Sequence, residues 1–555
     1  MKRLLPAILT IFLLATAAYG ADDFYESQLN SGIRNSDVSS YMLMEQARAD
    51  NTQAGSLLKK AAQHSPDLPA VYFELAKSKL SFRYSDMLQC IDYLIAGINA
   101  YGRNFWWSFS LAGSAVLGLF FSFIGTFLFI VIIRSIQDFP LISHELVESR
   151  QNALLLLGFI VLSVFSPLLL LAGLLVLAGM YMSRLDRVVV YIYLVFLLAA
   201  PAVFSAAGKF VSVPSSGKIK AMVDVNEAKG NVYALASLKT ASDPAAVFSH
   251  GLALKRAGLF DESIKLYEGL MKSGQDAASY VNMGNAYAGL SRYDDAIKSY
   301  QAAVNIRPLA SAYYNLSQVS REMLNFEKGN EYFEKAVEVD RYAVMGYRTY
   351  SERNPNRMFA DETLEEAALW NYAWNSSPAG TSFRMVILPA WVLSAASLLM
   401  MAAFYLMNRH AKNKAYRCRR CQAIFCPQCE KHIMWGQMCP QCFRSLIKLE
   451  ELETRERVAR LLSIYDHQKR RRDIMKWLSF ILPGASQVYG GKILIGFVLM
   501  WPFMFFVLLP AAACIMRPDP YGSHWLVIVL SLIVAAGLLV VSNIFTRQRI
   551  SKGWL

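Results

Sequence analysis

Between Gly251 and Phe333, small and aromatic residues recur at a fixed spacing of 33 positions, and this recurrence restricts the fold more than any other feature of the chain. Gly251, Gly284 and Ser317 form one series, Ser263, Ala296 and Gly329 a second, and Tyr267, Tyr300 and Phe333 a third. Small residues let two helices approach closely, and an aromatic residue one turn further along fills the space beside the contact. A unit of this size cannot bury its apolar face alone, so the spacing requires consecutive helix pairs stacked on one another. Three units fit between 244 and 342. The flanks, 217–240 and 343–374, depart from the pattern as capping helices do, the second broken by Pro355 and closing on a helix from Leu364 to Trp374.

The best-formed unit, Ala277 to Pro308, carries Tyr280, Met283, Gly284 and Tyr287 on its first helix, then Ala296, Tyr300 and Ala303 on its second, and ends at Pro308. It resembles a tetratricopeptide repeat. The resemblance implies a solenoid whose first helices line a concave surface that holds a protein or peptide. By the family's pattern the lining positions include Lys255, Arg256, Asn285, Tyr314, Gln318 and Arg321, with Phe248 and Leu252 beside them. Lys255, Arg256 and Arg321 are expected to share one surface and to hold an acidic or C-terminal carboxylate group of a partner, with Asn285 bonding its backbone. A weaker version of the pattern runs from Ala54 to Ala100, with Ala54, Leu58, Ala61 and Pro66 followed by Tyr72, Leu75 and Ala76.

A 555-residue chain that is 55% hydrophobic carries more apolar surface than a soluble protein of its length needs, so membrane spans are expected. Lys2 and Arg3, the apolar run Leu4 to Ala18 and the small residues around Gly20 have the layout of a signal peptide over 1–20, which places residue 21 outside the cytoplasm. Trp106 and Trp107 open a span to Ile133. Next come Ala153 to Met182, interrupted at Ser166-Pro167, then Val188 to Ala207, Met385 to Met407, and a hairpin of Ile493 to Met516 with Trp525 to Phe545. Arg409, Lys412, Lys414, Arg417, Arg419 and Arg420 follow the fourth of these runs and assign its far end to the cytoplasm. The repeats before it are then outside, and the block 106–208 must cross an even number of times. That parity is met if Ala153 to Met182 is a re-entrant pair broken at Pro167, with both ends on the side of Arg150, Arg184 and Arg187. A single tilted helix there would put the repeats in the cytoplasm instead.

Six of the eight cysteines, Cys418, Cys421, Cys426, Cys429, Cys439 and Cys442, fall in three Cys-x2-Cys pairs. Two sulfurs so spaced reach one ion from a tight turn, so a structural Zn2+ held by four thiolates is expected. Two ligand sets remain open: Cys418, Cys421, Cys439 and Cys442, or Cys426, Cys429, Cys439 and Cys442. The stretch from Arg417 to Cys429 looks like the central knuckles of FYVE-type domains, but that family's preceding Cys pair and basic lipid-binding motif are missing, so its phosphoinositide binding is not implied. Lys469-Arg470-Arg471-Arg472 and Lys476 lie beside a span, where basic runs meet anionic lipid; no nucleic acid partner is expected. Pro483-Gly484-Ala485-Ser486-Gln487-Val488-Tyr489 resembles the opening of small bacterial two-span modules, with Ser486 where that pattern has Gly.

No nucleophile elbow, zinc-protease motif or dinucleotide fingerprint is present, and no enzyme activity is expected. The sequence predicts an all-α protein: a tetratricopeptide repeat solenoid, a multi-span helical membrane region and a small zinc ribbon. Its segments are 1–20, signal; 21–105, extracytoplasmic helices; 106–208, membrane block; 209–383, repeats; 384–408, span; 409–475, zinc module and charged helix; and 476–555, C-terminal hairpin. The expected role is a scaffold in the bacterial inner membrane that recruits a protein or peptide for envelope assembly. A cytoplasm-facing adaptor built from the same modules, or a component of a transport or polymer-export system, remains open, as does the oligomeric state.

Overall fold

A computed structural model describes residues 24–50, 52–147, 166–272, 274–353, 358–376, 389–410, 416–418, 421, 423–425, 439, 442–443, 454–518, 522 and 524–552. The expected signal peptide, the first half of the interrupted run at 153–182, Pro355, Cys426 and Cys429 lie outside these residues. Among the described residues the chain is all-α apart from one pairing of two-residue strands, Tyr416–Arg417 with Ile424–Phe425. It divides into two compact units: 1–109 with 211–378 and 518–522, and the remainder.

In the first unit, two helix pairs, Asp37–Ala49 with Ala54–His64 and Pro69–Ser78 with Tyr84–Tyr101, close over Tyr41, Met44, Leu58, Val71 and Trp107. The helices Gly217–Asn226 and Val232–Ser237 then lead into three further pairs: Pro244–Arg256 with Phe260–Met271, Ala277–Gly289 with Tyr293–Ile306, and Ala310–Glu322 with the start of Phe326–Arg353. Asp243 and Asp276 cap two of the first helices by accepting from Ala245 N–H and Ser279 N–H. The 33-residue series meets inside these pairs. A Cβ on Gly284 would stand 2.5 Å from the Tyr300 ring, and one on Gly251 2.8 Å from the Tyr267 ring, so only glycine admits these fully buried tyrosines.

The last helix is kinked at Asp340, whose φ of −156° and ψ of 97° are not helical, so the array's second helix and the capping helix meet there. Pro355, the expected break, lies beyond it. The closing helix is Glu366–Asn375, two residues later than expected, because 358–365 take an extended path. Trp370 of that helix packs against Phe105 and Phe109 at ring separations of 5.5 and 5.2 Å. The two parts of the unit are joined where Asn35 donates to Glu227 O at 2.8 Å, Phe105 N–H donates to the Glu227 carboxylate at 2.6 Å, and Lys229 bridges Asp37 and Glu227.

Among its described residues the second unit holds four helices long and apolar enough to cross a membrane: Phe105–Asp138, Ala390–Arg409, Ile493–Ile515 and Trp525–Ser551. The run Val188 to Ala207 is divided into two helices, Arg187–Leu198 and Ala200–Ser212, with a bend of 60° between them. Pro201 explains the bend, since it supplies no N–H for the ladder and its ring obstructs the preceding turn. Pro167–Gly179 is a separate helix of 13 residues, opened by Ser166, whose hydroxyl accepts from Leu169 N–H. Phe127, Ile130, Tyr193, Leu194, Phe404 and Met500 form the centre of this unit's core. The charged helix that follows the cysteine module runs from Thr454 to Ile481, past the expected boundary at 475.

Candidate functional site

The first helices of the repeats carry a row of asparagines, and the extended segment 358–365 lies along it. Asn315 donates to Ala360 O at 2.9 Å and accepts from Ala360 N–H at 2.7 Å. Asn282 does the same for Glu362, at 2.9 Å in both directions, and Asn226 for Leu364, at 3.1 and 2.7 Å. Alternate residues of an extended chain turn the same edge of the backbone to the same side, so every second residue is gripped. Asn285 adds a second donor to Ala360 O and one to Asp361, while its own oxygen accepts from Tyr300 OH and Asn315.

Between the gripped residues, the Asp361 carboxylate meets Lys255 and Arg256, the latter at 2.9 Å, and Arg256 also donates to Val225 O at 2.6 Å. Glu362 accepts from Ser311 OH; burial pushes its carboxyl up, opposed by the Ser311 bond and Arg307. The acidic group expected for Lys255 and Arg256 therefore comes from the chain itself. Of the six expected groove residues, Lys255, Arg256 and Asn285 converge on the segment. Tyr314 is buried against the Tyr347 ring, 5.5 Å away, and Gln318 is half-buried. Arg321 does not join the basic pair: it stacks over Phe333 and donates to Asn330 at 3.1 Å. Asn226, Asn282, Asn315 and Asp361 were not among the expected residues. Asn282 and Asn315 stand 33 positions apart, a signal present in the sequence.

A cavity of about 1100 Å³ adjoins the segment. Residues 358–366 form one wall, and Ala343–Tyr347 and Arg34, Asp67 and Arg103 contribute others. Arg34 and Arg103 both pair with Asp67, at 3.0 and 2.7 Å.

The family model of the tetratricopeptide repeat matches residues 277–308 and 310–342. Those two units are tetratricopeptide repeats, and the pair at 244–271 repeats the Gly-under-Tyr packing of the first of them. No curated protein matches the chain.

In the cysteine module the Sγ atoms of Cys418, Cys421, Cys439 and Cys442 all lie within 4.8 Å of one another, with Cys421 and Cys439 3.6 Å apart. Tetrahedral Zn–S bonds near 2.3 Å need sulfurs about 3.8 Å apart, so this set suits such an ion. The turn that presents them is closed by Cys418 N–H to Ala423 O, and Cys439 N–H and Cys442 N–H donate to Cys418 Sγ and Cys439 Sγ. Burial pushes the Cys442 thiol up, and the neighbouring thiols push it further, so the thiolate form needs a cation among them. Four sulfurs can hold a metal ion here; they leave no open coordination position for catalysis.

Proposed function

We propose that the protein is a scaffold of the bacterial inner membrane whose repeats take up an extended segment of a partner protein, for envelope assembly, while a cytoplasmic zinc module and C-terminal hairpin anchor the other side. The observation that carries this reading is the asparagine row with its basic pair, a surface built to grip an extended acidic backbone rather than to do chemistry.

Several contacts support an even number of crossings between 106 and 208, which the orientation with the repeats outside requires. Residues 24–109 and 211–376 build one hydrogen-bonded unit, so the chain between them returns to the side it left, as an even number of crossings requires. Phe105–Asp138 and the bent pair Arg187–Ser215 supply two. Pro167–Gly179 spans only about 20 Å at 1.5 Å per residue, short of the roughly 30 Å hydrocarbon core. Its Leu168 carbonyl accepts from Tyr193 OH within the neighbouring helix, as expected of a half-helix that returns to the side it entered from. Arg417, just before the cysteines, donates to Gln137 O at the end of the first span that lies away from Phe105. Asp186 accepts from Leu494 N–H and Ser110 pairs with His524, so the remaining spans alternate consistently.

A reporter active only outside the cytoplasm is expected to be active when fused after Asn375 and silent after Arg444; the reverse would support the cytoplasm-facing adaptor. A photoreactive residue replacing Gln318 in native membranes should give one discrete adduct, suppressed by an excess of peptide copying residues 356–367. Absence of any intermolecular adduct would rule against the scaffold.

A further inference from the structure

Residues 358–365 are gripped through their backbone and their carboxylates, as an extended ligand is. Ala360 is buried, the Asp361 side chain is 10% exposed, and Phe359 and Leu364 pack, only partly buried, against the cores of the repeats. The polar contacts are backbone groups gripped by Asn226, Asn282, Asn285 and Asn315, and two carboxylates met by Lys255, Arg256 and Ser311. The segment also forms a wall of the 1100 Å³ cavity, so it has unfilled space beside it. A strand that served only to complete the fold would bury its apolar side chains; here Phe359 and Leu364 are only partly buried.

We infer that this segment is an intramolecular stand-in for the partner, and that the partner's own segment is extended and acidic, with a small residue followed by two acids, and binds by displacing it. This rests on the scaffold reading above. Each part of that partner description follows from a contact. Ala360 is buried in one cluster with Ala310, Tyr314, Ala336 and Val344, a position that suits a small side chain. The next position faces Lys255 and Arg256, which select a carboxylate, and the one after faces Ser311. The asparagines grip backbone and are indifferent to side chains. Because the stand-in belongs to the same chain, its effective concentration is high, and a free partner binds with its affinity reduced by the fraction of grooves that are open. The groove is thus closed at rest and opened by competition.

The test uses the full chain in lipid nanodiscs and, as probe, a fluorescein-labelled peptide of residues 356–367. Asp361→Lys sets a cation against Lys255 and Arg256 and should free the segment. The peptide is expected to bind this variant at least tenfold more tightly than the wild type, and adding Asn282→Ala and Asn315→Ala should remove that binding. Deuterium uptake at 358–365 should rise in the variant, with 277–289 unchanged as the check on folding; Asp361→Ala is the milder substitute if Asp361→Lys does not fold. Equal binding by wild type and variant would overturn self-occlusion and leave the groove reading intact. Unchanged uptake with no binding would make the segment a fixed part of the fold, which also overturns the inference. A freed segment with no peptide bound would defeat the groove reading itself, and this inference with it.

Discussion

Asn315 holds Ala360 by both of its backbone groups, accepting from the amide at 2.7 Å and donating to the carbonyl at 2.9 Å. Both residues are buried, and since Asn285 also donates to the Ala360 carbonyl, it is the Ala360 amide that depends on Asn315. Asn315→Ala should therefore cost about 1–3 kcal/mol locally, the penalty for an orphaned buried backbone amide. In hydrogen exchange, the Ala360 amide should become at least tenfold faster while the amides of Ala310–Glu322 change little. Unaltered exchange would show that the segment is retained by other contacts.

The repeat packing makes a prediction of its own. Gly284 lies under the Tyr300 ring, which is fully buried and pinned by its hydroxyl to the Asn285 side chain at 2.8 Å. The ring cannot step aside for a new methyl group without giving up that bond. Gly284→Ala should destabilise the repeat unit by about 1–3 kcal/mol despite alanine's better helix propensity. Denaturant titration of the helical signal would read it, and a stabilised protein would contradict the packing described.

Stability should also depend on pH through Glu227, where the two parts of the first unit meet. Burial pushes its carboxyl up to about 6 from an ordinary 4.5, although Lys229 and the Phe105 amide pull it down. A raised acid favours the folded state while protonated: its contribution is full below about 4.5 and is lost as pH rises through about 6, a difference of about 2 kcal/mol. The midpoint of unfolding should thus fall between pH 4.5 and 7 more steeply in the wild type than in Glu227→Gln. Parallel curves for the two proteins would mean that Glu227 titrates alike folded and unfolded.

For the cysteine module, metal analysis of the purified chain should find about one zinc per molecule. Cys418→Ser and Cys439→Ser should each lose it, since both sulfurs belong to the cluster within 4.8 Å. Cys426→Ser should retain it; loss in that variant would favour the ligand set that includes Cys426 and Cys429.

The helical class, the helix-pair repeats, the positions of the apolar runs and the pairing of cysteines were legible in the sequence, because each rests on local spacing: 33 residues between Gly251, Gly284 and Ser317, or two residues between Cys418 and Cys421. The resemblance to a tetratricopeptide repeat also implied Lys255, Arg256 and Asn285 as groove residues. It could not say what they meet, because Asp361 lies more than a hundred positions beyond Lys255 and only the folded chain brings it back across the array. Arg321 was misplaced for a related reason: its register fits the groove, but Phe333 on the neighbouring helix offers its long side chain an aromatic face. The 60° bend before Pro201 follows from the proline, but in a uniformly apolar run only tertiary packing decides between a kinked span and a straight one. Local spacing pairs Cys418 with Cys421 and Cys439 with Cys442, but only the folded chain brings those two pairs together; Cys426 and Cys429 lie outside the described residues.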